Sequence, residues 1–141
     1  MRITTKGRYS LRAAIALADM SKNGEMVSIS TLSETEDIPA VFLEQIFFKL
    51  KKAGIVKSSR GPGGGFTFNR SLDSLTVKEL FDAAGEELTL MMCDRKEVEC
   101  DRMSVCICHE VLVAVTKKVN DYLNSLTIKD IIENPEFRIH S

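Results

Sequence analysis

At 141 residues, 44% hydrophobic and 28% charged, the chain holds enough apolar material for one compact domain with an additional helical arm. Its longest apolar runs, such as Val111 to Val115, fall far short of the ~20 residues that cross a bilayer, so no membrane partner is expected. With no export signal, a cytoplasmic location with reduced thiols is expected. The net charge of −1 conceals a polarity: residues 1–70 carry 11 basic against 6 acidic side chains, and residues 71–141 carry 8 against 14. The N-terminal half is therefore the one suited to a polyanion.

Leu11, Ala14, Ile15 and Ala18 recur at helical spacing and predict a first helix over about Lys6 to Ser21, stopped by Asn23-Gly24. A second helix should start near Ser28 or Ser30, either of which can cap it, and bury Leu32. Pro39 suits the first turn of a third helix, with Phe42, Leu43, Ile46, Phe47 and Leu50 as its apolar stripe and Gly54 at its end. Two β-forming runs, Ile55 to Ser59 and Phe66 to Asn69, flank the turn Arg60-Gly-Pro-Gly-Gly-Gly65 and predict a hairpin. Three helices and a hairpin is the order of a winged helix-turn-helix, whose third helix enters the DNA major groove. The glycine-rich turn lacks a Gly-Lys-Ser/Thr ending and runs into a strand, which argues against a phosphate loop.

A fourth helix starts at Thr76, where Thr-x-x-Glu79 forms a capping box, and buries Leu80, Phe81 and Ala84. From Val105 a long helix runs to about Leu126, with Val111, Val115, Val119, Tyr122 and Leu126 in one stripe and Leu112 and Leu123 beside it. Such a stripe suits packing on a second copy, although a monomer could lay it over the fourth helix. A last turn from Thr127 caps the arm, and the residues beyond Pro135 form a tail.

All four cysteines and one of the two histidines fall between Cys93 and His109, spaced C-x6-C-x5-C-x-C-H. Polarisable thiolates gathered on one short segment suit a soft metal or an iron-sulfur cluster. Disulfides fit poorly with a reducing compartment. A three-cysteine and histidine set is also a known zinc site, and local spacing does not separate the two. No catalytic constellation can be assembled with any specificity, so enzyme activity is not expected.

The opening Met1-Arg-Ile-Thr-Thr-Lys-Gly-Arg-Tyr9, the segment Phe42-Leu-Glu-Gln-Ile46, the wing Ser59-Arg-Gly-Pro-Gly-Gly-Gly-Phe66 and the cysteine set with His109 resemble the IscR-like iron-sulfur regulators of the Rrf-two family. The resemblance covers nearly the whole chain. It implies a mainly α fold with a small β-hairpin wing: a winged helix-turn-helix DNA-binding domain over 1–85, with the helix-turn-helix near 28–53 and the wing near 55–69. A cluster-binding loop would follow over 86–104, then a dimerisation helix and its cap over 105–134, and a tail over 135–141.

It further implies a homodimeric regulator, acting as a repressor, that binds one [2Fe-2S] cluster per subunit and an operator in double-stranded DNA, with cluster-assembly proteins as donors of the cluster. The implied ligands are Cys93, Cys100, Cys106 and His109, with Cys108 as a substitute for the histidine; zinc and [4Fe-4S] are the competing occupants. Glu44 and Gln45 are implied to face base edges, and Arg60, Gly61, Pro62 and Gly63 to form the contacting wing. Lys6, Arg8, Lys49 and Lys51 are expected to hold phosphates, where they set affinity rather than sequence. Pro39, Ala40 and Val41 depart from the more polar residues of the resembled proteins, so a different operator sequence is expected. Other readings are a nitric-oxide or redox sensor of the same family, or a cluster-free regulator answering to a metabolite or protein.

Overall fold

The computed structural model describes residues 2–90, 102 and 105–137. Helix α1 (Thr5–Met20) is capped by Thr4, whose hydroxyl accepts the Gly7 N–H at 3.3 Å. It begins and ends one residue before the expected bounds. Its buried face is centred on Ala13, Ala14, Leu17 and Ala18, while Leu11 and Ile15 are only half-buried. Small alanines let four other helices approach this one.

Of the two candidate caps, Ser28 is the one used: its hydroxyl accepts the Thr31 N–H at 3.1 Å and opens α2 (Ile29–Glu36). The turn that follows is tight. Asp37 adopts a left-handed conformation, φ 51°, which a short polar side chain tolerates, and Ile38 is buried beneath it. Pro39 stands as the N-cap of α3 (Ala40–Lys52), one position before the predicted first turn, and its carbonyl accepts the N–H groups of Phe42 and Leu43. Leu43, Ile46, Phe47 and Leu50 are buried as predicted. Phe42 is not: it lies at the edge of the core, its ring set edge-on to Tyr9 with centroids 5.7 Å apart.

Strands β1 (Val56–Ser59) and β2 (Gly65–Phe68) pair antiparallel, with Ser59 opposite Gly65. Val27 exchanges two backbone hydrogen bonds with Phe66, at 2.8 and 2.9 Å, so the segment before α2 runs along the wing. Gly65 is required there: its φ is 145°, and a Cβ would sit 2.4 Å from the Val27 carbonyl oxygen. The wing is tied to α3 by the Phe47 and Phe66 rings, 4.9 Å apart.

Thr76 caps α4 (Val77–Ala84), accepting the Glu79 N–H at 3.1 Å. The Glu79 carboxylate pairs with Arg70 Nη2 at 2.9 Å instead of closing the box. Helix α5 (Ile107–Ser125) is the predicted long helix, and only Thr116 on it is fully buried. The segment after it does more than cap the arm. Val77 N–H bonds to Leu126 O and Ile128 N–H to Leu75 O, both at 2.9 Å, and α6 (Ile128–Glu133) packs on α1 with Ile128 fully buried in the main core. Pro135–Phe137 form a closing 3-10 turn. The architecture is mainly helical with a two-stranded wing, and among the described residues no helix is long and apolar enough to cross a membrane.

Candidate DNA interface and cysteine segment

Burying Leu43, Ile46, Phe47 and Leu50 forces the opposite face of α3 into solvent. That face presents Val41, Glu44, Gln45, Phe48, Lys49 and Lys51. Lys49, Lys51 and Lys52 fill the last turn, where cations also offset the helix dipole. Lys6 comes from α1 to the same place: with Phe42, Gln45, Ile46 and Lys49 it lines a small cleft of about 100 Å³. The ammonium groups of Lys6 and Lys49 flank Gly85 at the C-terminal end of α4, within 3.3 and 3.5 Å of where a Cβ would stand. Lys6, Gln45 and Lys49 are thus assembled by the fold from residues about 40 positions apart.

Arg8 is not part of that cleft. It lines a separate groove with Arg2, Ile3, Thr4 and Thr5, where its guanidinium donates to the Thr5 hydroxyl at 3.4 Å. Arg60, Gly61, Pro62 and Gly63 form the exposed tip of the wing. Gly63 and Gly64 line a groove with Ser28 and Thr31 at the start of α2, so wing and helix-turn-helix share one side of the molecule.

Of the cysteine set, Cys93 and Cys100 lie outside the described residues. Cys106 is the N-cap of α5: its Sγ accepts the His109 N–H at 3.4 Å. The sulfur therefore lies at the N-terminus of α5, in the same helical turn as the His109 imidazole. Cys106 and His109 are half-buried, whereas Cys108 is exposed. No metal-binding group of three or more such side chains occurs among the described residues.

A contact that sequence reasoning missed lies between these regions. Glu86, 5% exposed, accepts the Thr4 N–H at 3.1 Å and also the Thr4 hydroxyl. Gly7 leaves room for it: a Cβ there would stand 2.6 Å from Glu86 Oε2. Further on, Asn120 of α5 donates to Leu88 O at 3.4 Å and Thr116 O at 3.0 Å, so the backbone after α4 is held by α1 on one side and α5 on the other.

Residues 3–134 match the Rrf2 (Rrf-two) family, described as an iron-dependent transcriptional regulator. The chain belongs to this family. It is 38% identical over 133 residues to an HTH-type transcriptional regulator of Neisseria meningitidis, spanning 94% of this chain and 88% of that one. It is 33% identical over 139 residues to the HTH-type transcriptional regulator IscR of Erwinia tasmaniensis, spanning 99% of this chain and 83% of that one. Among solved structures, T. potens IscR superimposes with a TM-score of 0.77 at 25% identity, covering 100% of this chain and 93% of that one. CymR, the global cysteine regulator of B. subtilis, superimposes with a TM-score of 0.76 at 26% identity, covering 94% and 96%. The protein is accordingly an Rrf2-family helix-turn-helix transcriptional regulator with IscR-like relatives, and DNA is its family's partner.

Proposed function

We propose that this regulator is a homodimer whose binding to an operator is controlled by a [2Fe-2S] cluster held by Cys93, Cys100, Cys106 and His109. In its cluster-bound form it represses genes of iron-sulfur cluster assembly or related iron and redox genes, and cluster-assembly proteins supply the cluster. The observation that carries this reading is Cys106 at the head of α5, with its Sγ against the His109 N–H at 3.4 Å. Its donor chemistry fits the group: a cysteine sulfur at a helix N-terminus, with an imidazole in the same turn. When bound, the cluster supplies a redox-sensitive cross-link between the cysteine segment and α5.

The chain's own packing supports a route from there to DNA. Cys106 and His109 anchor the first turn of α5; Asn120 of that helix holds Leu88; Glu86, two residues earlier, holds Thr4 at the head of α1. Lys6 in that first turn stands beside Gln45 and Lys49. Tightening or loosening the start of α5 would bias this set of contacts between two arrangements with different affinity for DNA. The exposed side chains of Ile107, Val111, Val115 and Tyr122 support a second copy packed along α5.

The test is anaerobic purification followed by visible absorption and iron and sulfide analysis, on the wild type and on Cys93→Ala. About two irons and two acid-labile sulfides per chain, lost in the variant, are expected. A stoichiometry near four would favour a nitric-oxide or redox sensor with a different cluster. Bound zinc, or a colourless protein after reconstitution, would remove iron-sulfur control. The reading as a cluster-free regulator answering to a metabolite or protein partner would then be favoured, and the likeness in fold to CymR, a global cysteine regulator, at a TM-score of 0.76 is consistent with an effector of that kind.

A further inference from the structure

The exposed face of α3 carries two large apolar side chains that lie outside the core. Val41 is 56% exposed and Phe48 69%. Seven residues apart, they stand almost one above the other, about 10 Å along the helix axis, with the exposed Glu44 and Gln45 between them on the same face. Scattered surface apolar residues are ordinary. This pair, however, lies on the second helix of the helix-turn-helix, whose side chains meet base edges.

An apolar group on a solvated helix contributes only when something apolar covers it. Lys49, Lys51 and Lys52 on the same helix, with Lys6 beside them, make a polyanion a better occupant than an apolar protein surface. In the major groove the apolar feature is the thymine C5 methyl, and valine- and phenylalanine-type side chains are suited to meet it.

Resting on the family's DNA-binding role, we propose that Val41 and Phe48 read thymine methyl groups and bracket the hydrogen-bonding pair Glu44 and Gln45. Their separation of about 10 Å corresponds to about three base-pair steps of about 3.4 Å. The operator half-site is therefore recognised partly by two methyl contacts at that spacing, with polar readout between them.

The full chain is used to select duplexes from a random-sequence pool, and each thymine of the selected half-site is then replaced by deoxyuridine, which deletes only the methyl. Two positions about three steps apart are expected to lose about fourfold in affinity each, the value for one methyl-sized group withdrawn from burial. Val41→Ser should abolish the sensitivity at one position and Phe48→Ser at the other. Both side chains are exposed, so the variants should keep the wild-type circular dichroism spectrum. Uridine replacement without effect at every position, or effects that persist in both variants, would overturn the proposal while leaving DNA binding intact. Selection of no duplex at all would overturn the DNA-binding reading together with it.

Discussion

Glu86 and Thr4, 82 positions apart, are joined by two hydrogen bonds in which one buried carboxylate takes both the backbone N–H and the hydroxyl of the residue that caps α1. Hydrogen bonds to a charged acceptor contribute more than neutral ones, and removing the acceptor leaves its donors unsatisfied. Glu86→Ala should therefore destabilise the fold by about 2 kcal/mol in urea denaturation, and Glu86→Gln, which keeps one acceptor, by less. A loss in Glu86→Ala too small to measure would show that water replaces the carboxylate.

Gly7 offers a sharper form of the same test. In an exposed helix interior, alanine in place of glycine stabilises by about 0.5–1 kcal/mol. Here the added Cβ would meet Glu86 Oε2 at 2.6 Å and the Ile3 side chain at 2.9 Å. Gly7→Ala should accordingly lower the melting temperature in the wild-type background and lower it less, or raise it, in the Glu86→Ala background.

Lys6, Gln45 and Lys49 share one cleft, and the proposed role of that cleft in binding DNA gives the two residue types different expected effects. Lys49→Ala should weaken binding to all sequences alike and reduce the salt slope by about 1, as loss of one phosphate contact does. Gln45→Ala should cost about 1–3 kcal/mol and relax the preference at a single base pair. Filter binding at several salt concentrations, against specific and scrambled duplexes, distinguishes them. Glu44→Ala should alter operator preference, and the comparison is made with and without the reconstituted cluster.

Cys108 and His109 stand side by side at the start of α5, the first exposed and the second half-buried next to Cys106. With His109 as the fourth ligand, Cys108→Ala keeps the visible spectrum of the reconstituted protein and His109→Ala shifts or abolishes it. The opposite pattern would make Cys108 the ligand.

The capping box at α6 carries a pH signature. Asp130 accepts the Thr127 N–H at 3.0 Å while the Thr127 hydroxyl accepts the Asp130 N–H at 3.0 Å. The backbone hydrogen bond from Thr127, and after it the Thr127 side chain, hold the Asp130 carboxyl below its ordinary pKa. A carboxylate depressed in the folded state contributes its stability above the unfolded value of about 3.9, and loses it as pH falls through the folded value. The gap in melting temperature between wild type and Asp130→Ala should therefore be full at neutral pH and shrink below about pH 4. A gap that is constant across this range would assign the effect to packing.

Much of this molecule is written in short-range pattern. Ser28 and Thr76 cap the helices that follow them, the Gly-Pro cluster turns the wing, and the stripe from Leu43 to Leu50 is buried, because each depends on hydrogen bonds or spacing within a few residues. The cysteine pattern and the chain-long resemblance to the family are likewise properties of residue order. Contacts between distant segments are not. Glu86 has the composition of a surface residue, and only the approach of Thr4 and the gap at Gly7 bury it. Periodicity places Phe42 on the inner stripe, yet the neighbouring helices cover the centre of that stripe and not its margin, so Phe42 leans on Tyr9 at the edge. The segment after α5 reads as a cap to the arm until Leu126 and Ile128 bond to Val77 and Leu75 and bring α6 onto α1. Local rules settle which bonds a backbone makes with itself; whether a polar or apolar side chain is covered depends on what the rest of the chain brings to it.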